Sequence, residues 1–116
     1  MSLKRILETL TSFGLKQSDA KVYVFLAKKG PHTEADLSDA LNMPKNQTYQ
    51  CLRNLEDKGI VTATRDRPAL FSALPFEKVL DLLVKAKLEE ARRTEQNTYE
   101  ALCNWKSMLK ENHTHQ

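Results

Sequence analysis

A mainly α-helical fold that carries one small β-hairpin and closes on a single long helix is what this sequence predicts. Three observations predict it. Apolar residues recur at helical spacing through most of the chain, the pattern turns extended only between Ile60 and Leu74, and no glycine or proline follows Pro75. The 116 residues fit one domain of ordinary size. With 41% apolar and 28% charged residues, wholesale disorder is excluded.

The first helix follows from Leu3, Ile6, Leu7 and Leu10, and Gly14 comes after it. A second starts near Ser18, its expected N-cap, and ends at Gly30-Pro31, where Lys28 and Lys29 suit the negative end of the dipole. Its Ala20, Val22, Tyr23, Val24, Phe25, Leu26 and Ala27 make it apolar nearly all round, as a central helix is. A short third helix takes Thr33 as its cap, with Asp36 reciprocating, and buries Ala35, Leu37, Ala40 and Leu41. Asn42-Met43-Pro44 makes a tight break, and Pro44 suits the first turn of the next helix.

The fourth helix is expected from about Pro44 to Lys58, ended by Gly59. Thr48, Cys51, Leu52 and Leu55 form its inner face. Lys45, Asn46, Gln47, Gln50, Arg53 and Asn54 form the opposite one. Ile60–Thr64 and Ala69–Leu74 then read as two strands around the polar turn Arg65-Asp66-Arg67-Pro68. From Phe76 to about Glu111 the chain has neither breaker, which gives a helix about 54 Å long at about 1.5 Å per residue. Its apolar residues fall in two blocks, Phe76, Val79, Leu80, Leu82, Leu83, Ala86 and Leu88, then Tyr99, Ala101, Leu102, Trp105, Met108 and Leu109. A polar waist, Glu89–Asn97, separates them.

Several chemistries find no support. A glycine-rich phosphate loop, a nucleophile elbow and a paired-carboxylate motif are all missing, so no enzyme and no catalytic residue is expected. Cys51 and Cys103 lie far apart and read as reduced thiols, and no Cys/His spacing suits zinc. His32 is isolated, and His113 and His115 sit in a polar tail. No metal and no cofactor is expected. No apolar run approaches the roughly 18–20 residues that span a bilayer, and Met1–Leu10 does not follow a signal-peptide pattern. A cytoplasmic location without membrane contact is therefore expected.

The order helix, helix, short helix, tight turn, helix, hairpin is that of a winged helix-turn-helix, with the hairpin as wing. Such a fold gives the polar face of the fourth helix a use. Asn and Gln pair with adenine in the major groove, while Arg and Lys favour guanine or phosphate. Asn46, Gln47, Gln50 and Arg53 are the expected base readers, and Lys45, Arg65 and Arg67 the expected backbone contacts. Tyr49 has two readings, one beside a sugar-phosphate and one packed against Tyr23. Charge agrees in sign with double-stranded DNA as partner. Residues 1–75 carry 11 basic and 8 acidic side chains, whereas residues 76–116 carry 7 of each. Asp66 opposes DNA locally. With the mild net charge of +3, it favours the alternative of a winged-helix protein–protein interaction module without direct DNA binding.

A set of elements in register resembles a known family. Gly14-Leu15, Ala20-Lys21-Val22-Tyr23, Leu26, Gly30, Ala35-Asp36-Leu37, Met43–Tyr49, Leu55–Val61 and Arg67–Pro75 look like the N-terminal domain of TrmB-type regulators, winged-helix transcription factors found mostly in archaea. The resemblance covers about residues 5–80 and implies DNA binding and dimerisation. Larger members carry a C-terminal sugar-binding domain. No residues follow the long helix in this sequence, so sugar sensing is not among the expectations.

The organisation expected is a winged helix-turn-helix over 1–75, a C-terminal dimerisation helix over 76–112 and a disordered tail over 113–116. The second apolar block cannot be buried by a 75-residue domain, so Tyr99, Leu102, Trp105, Met108 and Leu109 are the expected homodimer interface. The polar waist argues for an antiparallel pair or a crossing near Trp105 rather than an uninterrupted coiled coil. The other reading has Trp105 folding back on its own chain through a break. A groove beside the long helix leaves room for a small-molecule effector, though no residue identifies one.

Overall fold

The computed structural model describes the backbone of residues 2–114 and the side chains of residues 2–111. The tail expected over 113–116, with His113 and His115, lies outside the described side chains, and residues 115–116 lie outside the described residues altogether.

Helix α1 (Leu3–Ser12) is capped by Ser2, whose side chain accepts the Arg5 N–H at 3.3 Å. Helix α2 (Gln17–Lys29) starts earlier than expected. Lys16, not Ser18, holds the cap position and offers no side-chain bond there, so Ser18 falls inside the first turn. Asp19 supplies that turn with the negative charge the helix dipole favours. Val22, Tyr23, Val24 and Leu26 are buried, while Ala27 faces solvent. α2 packs against α1 and against two elements that follow it, the fourth helix and the second strand.

Helix α3 (Glu34–Leu41) is capped as expected by Thr33, which accepts the Asp36 N–H at 3.2 Å. Its inner face is narrower than the apolar pattern suggested. Leu37 and Ser38 are buried, but Ala35 and Ala40 are exposed. The Ser38 hydroxyl reaches across the following turn to donate to the Met43 carbonyl. Asn42, at φ 49°, takes the left-handed conformation that turns the chain.

Helix α4 (Lys45–Asp57) buries Thr48, Cys51, Leu52 and Leu55, the four residues expected. Pro44 occupies its N-cap rather than its first helical position. The Pro44 carbonyl takes both the N–H and the hydroxyl of Thr48, at 3.0 and 3.1 Å. At the other end the Ile60 N–H bonds the Leu55 carbonyl and the Gly59 N–H bonds that of Glu56, with Gly59 at φ 77°. This closure needs a left-handed residue, and no atom crowds a Cβ at Gly59, so backbone conformation alone calls for glycine.

Strands β1 (Val61–Ala63) and β2 (Phe71–Ala73) pair antiparallel, Thr62 opposite Ser72. His32 adds a one-residue third strand. It exchanges backbone bonds with Phe71 at 3.2 and 2.9 Å, and its ring meets Phe25 edge-on at 4.9 Å. Sequence reading left His32 isolated. The base of the wing is also tied to α2, because the Tyr23 hydroxyl donates to the Leu74 carbonyl at 2.7 Å. Burial, and then the charge of Glu77, push that phenol up to about 12, so it stays a donor.

Helix α5 (Phe76–Thr114) is assigned as one continuous helix. The chain divides into two compact units after Val84. Within the first, Val79 and Leu83 of α5 are buried in the core. Ala86 and Leu88, expected in the same inner block, are exposed members of the second unit. The described residues of that unit are all helical. Its Glu89 accepts two bonds from Arg92, at 3.0 and 2.6 Å, which hold the Glu89 carboxyl below its ordinary value. Such an exposed pair adds little stability.

Candidate nucleic-acid interface

Helices α3 and α4, the left-handed turn between them and the β1–β2 wing form a winged helix-turn-helix. Burying Thr48, Cys51, Leu52 and Leu55 leaves the other side of α4 to solvent, because a 3.6-residue period separates the two faces. Lys45, Asn46, Gln47, Gln50 and Arg53 are all exposed there. Tyr49 is 50% exposed, which removes it from the interior where Tyr23 lies.

Two pairs at i, i+4 order this face. The Arg53 guanidinium lies 5.9 Å from the Tyr49 ring centroid and donates to the Tyr49 hydroxyl at 3.4 Å. One residue along, the Gln50 Nε2 donates to the Asn54 Oδ1 at 3.0 Å, and the Asn54 Nδ2 donates to the Asp19 Oδ2 at 3.3 Å. Asp19 is 2% exposed. The structure thus joins a buried carboxylate on α2 to an exposed amide on α4. Sequence reasoning passed over Asp19 and gave Asn54 no partner. The one available signal was an acidic residue at the start of an otherwise apolar helix.

Arg65 and Arg67 are exposed in the wing loop, and the Arg67–Pro68 peptide is cis. Thr64 closes that loop. Its N–H bonds the Leu70 carbonyl and its hydroxyl accepts the Leu70 N–H, both at 2.9 Å. No pairing joins the two arginines to the α4 residues among the interactions described.

Cys51 sits behind the polar face and is 2% exposed. Burial pushes its thiol up to about 11; a hydrogen bond with Ser18 lowers it and one with Asp19 raises it again. Cys103 is exposed. A thiol-alkylating reagent at neutral pH is therefore expected to modify Cys103 and spare Cys51 in the native protein, and to modify both after denaturation, as mass spectrometry would read out. Equal labelling of both thiols under native conditions would contradict the burial of Cys51.

The residues expected at the second interface lie in the second unit. Tyr99, Leu102, Trp105, Met108 and Leu109 are 64, 51, 55, 42 and 41% exposed, an apolar set on one helix. No helix among the described residues is long and apolar enough to cross a membrane.

Comparison with known proteins gives concordant matches. The family model described as the sugar-specific transcriptional regulator TrmB matches residues 10–77, which includes α2, α3, α4 and the wing. The HTH-type sugar sensing transcriptional regulator TrmBL1 of Pyrococcus furiosus is 28% identical over 90 residues, 78% of this chain and 26% of that protein. An uncharacterized protein of Methanocaldococcus jannaschii is 29% identical over 84 residues, 67% of this chain and 63% of that protein. The chain thus spans about a quarter of one relative and less than two thirds of the other. Among solved structures, TrmBL2, described as an archaeal chromatin protein with a novel mode of DNA binding, matches with a TM-score of 0.76 and 27% identity. The match covers 86% of this chain and 40% of TrmBL2.

Proposed function

The chain belongs to the TrmB family of transcriptional regulators, and from that premise we propose that it is a homodimeric, sequence-specific DNA-binding regulator that represses by occluding its operator. The observation that carries this reading is the outer face of α4. It is exposed along its length, and two of its readers are already held by neighbours before any DNA arrives. Holding them beforehand lowers the entropy cost of binding. In the proposed complex Asn46, Gln47, Gln50 and Arg53 meet base edges. Lys45, Arg65 and Arg67 meet phosphates, and Tyr49 backs Arg53 beside the sugar-phosphate. The apolar set around Trp105 supplies the second chain, and two-fold symmetry supplies paired half-sites.

The sugar sensing in the name of the Pyrococcus relative is not carried over, since the match reaches only 26% of that protein. The test is selection of bound sequences from random DNA, run together with a measurement of the protein's mass in solution. A two-fold-related motif bound by a dimer is expected. Retained capture of a protein partner with no DNA binding at low salt would overturn the reading in favour of an interaction module.

Salt dependence separates the two roles. Three phosphate contacts per protomer give a dimer a slope of about −5 in log affinity against log salt. Arg67→Ala is expected to make that slope shallower by about 2 and to weaken all sites alike, whereas Gln50→Ala relaxes sequence choice and leaves the slope unchanged. Titrations at several salt concentrations check both. An unchanged slope in Arg67→Ala would remove Arg67 from the phosphate contacts.

A further inference from the structure

The chain of bonds from Asp19 through Asn54 to Gln50 has a direction, and the direction is set from the protein interior. A carboxylate offers acceptors only. Facing the Asp19 Oδ2, Asn54 must present its Nδ2, which it does at 3.3 Å. Its Oδ1 is then the atom left for Gln50, and Gln50 must meet it with Nε2, which it does at 3.0 Å. An exposed glutamine normally interconverts between amide orientations that offer a donor or an acceptor at the same place. Here one buried charge selects one orientation for both amides.

We propose that Asp19 and Asn54 are positioning residues for specificity. The buried carboxylate fixes the polarity of the Gln50 amide, so that Gln50 presents its Oε1 and its remaining N–H in a single arrangement. The proposal rests on the reading of α4 as the DNA-reading helix. The ligand chemistry follows from the atoms presented. An acceptor beside a donor matches the adenine major-groove edge, where N6 donates and N7 accepts, and it disfavours guanine, whose O6 and N7 both accept. Asp19 touches no DNA in this scheme. Asp19 is 2% exposed in the first turn of α2, where the helix dipole favours negative charge, and it accepts the Asn54 bond there.

A merely structural tie between α2 and α4 makes a different prediction, and Asp19→Asn separates the two. The asparagine keeps the size and can still bond Asn54, so the tie survives. It offers a donor as readily as an acceptor, so the direction is lost. The experiment is selection from random DNA with the full chain, for the native protein, Asp19→Asn, Asn54→Ala and Gln50→Ala, with thermal midpoints measured alongside. Gln50→Ala is expected to erase the preference at one base position. Asp19→Asn and Asn54→Ala are expected to reduce adenine preference at that same position by about tenfold and to leave the other positions intact. Affinity of Asp19→Asn for DNA of random sequence is expected to stay within about twofold, because that affinity comes from phosphates.

Full base preference retained in Asp19→Asn would overturn the relay and leave Asp19 a structural tie. Loss of preference at every position together with a lowered midpoint would do the same. If Gln50→Ala altered no position while others remained specific, Gln50 would not be a reader and the relay would fall while DNA reading by α4 stood. If the native protein selected no sequence at all, both would fall.

Discussion

Replacing Trp105 by glutamate is expected to dissociate the proposed dimer into monomers. Trp105 is the largest side chain of the exposed apolar set on α5, and it lies three residues from Leu102 and four from Leu109, the spacing that keeps side chains on one helix face. Buried aromatic anchors dominate interface energies, and truncating one typically costs 2 kcal/mol or more, at least about thirtyfold in dissociation constant. A charge at the same place adds the cost of desolvating it against a second copy of itself. Operator binding falls with the dimer, because a single half-site gives up the second set of contacts. Sedimentation velocity and a binding titration on one DNA fragment would read both effects. A native protein that sediments as a monomer, or a Trp105→Glu dimer of native mass, would remove α5 from the interface.

Leu55→Ala is expected to destabilise the winged helix strongly. Leu55 is fully buried on α4, and its carbonyl also accepts the Ile60 N–H at 3.0 Å in the turn into the wing. Leucine-to-alanine changes in a close-packed core cost about 2–5 kcal/mol, through lost burial and the cavity left behind. In a domain of this size 1 kcal/mol moves the thermal midpoint by about 4–8 °C, so a fall on the order of 15 °C is expected. DNA affinity measured well below the lowered midpoint should change much less, since no reader is altered. A midpoint within about 3 °C of the native one would mean that the surroundings collapse into the cavity.

The two substitutions mark how much was readable from the residues. Leu55 belongs to a pattern set by local spacing, and the inner face of α4, the cap at Thr33, the wing and the length of α5 were all legible in the same way. The exposed polar face of α4 followed by subtraction. What escaped was of two kinds. Alanine carries too little apolar surface to declare a side, so Ala35 and Ala40, expected inward by periodicity, face solvent. Ser18 gave way to Lys16 because capping preference is weaker than the packing that sets where α2 begins. The second kind is long-range. Asp19 and Asn54 are 35 positions apart, and His32 meets Phe71 across 39. No local pattern pairs residues at such distances; only the packing of α2 on α4, and of the wing on its base, brings them together.

Cys51 turns one of these packing contacts into a clock. Its thiol is shut between α4 and the first turn of α2, so a reagent reaches it only when α4 lifts. When reclosing is faster than chemistry, the trapping rate is the intrinsic rate multiplied by the population of the opened state, and that population is a local free energy. Cys103, exposed on the same chain, supplies the intrinsic rate in the same tube. The natural sequence therefore carries both hands of a measurement of how firmly α4 is held, and, if α4 reads DNA as proposed, operator DNA should slow one hand and leave the other running.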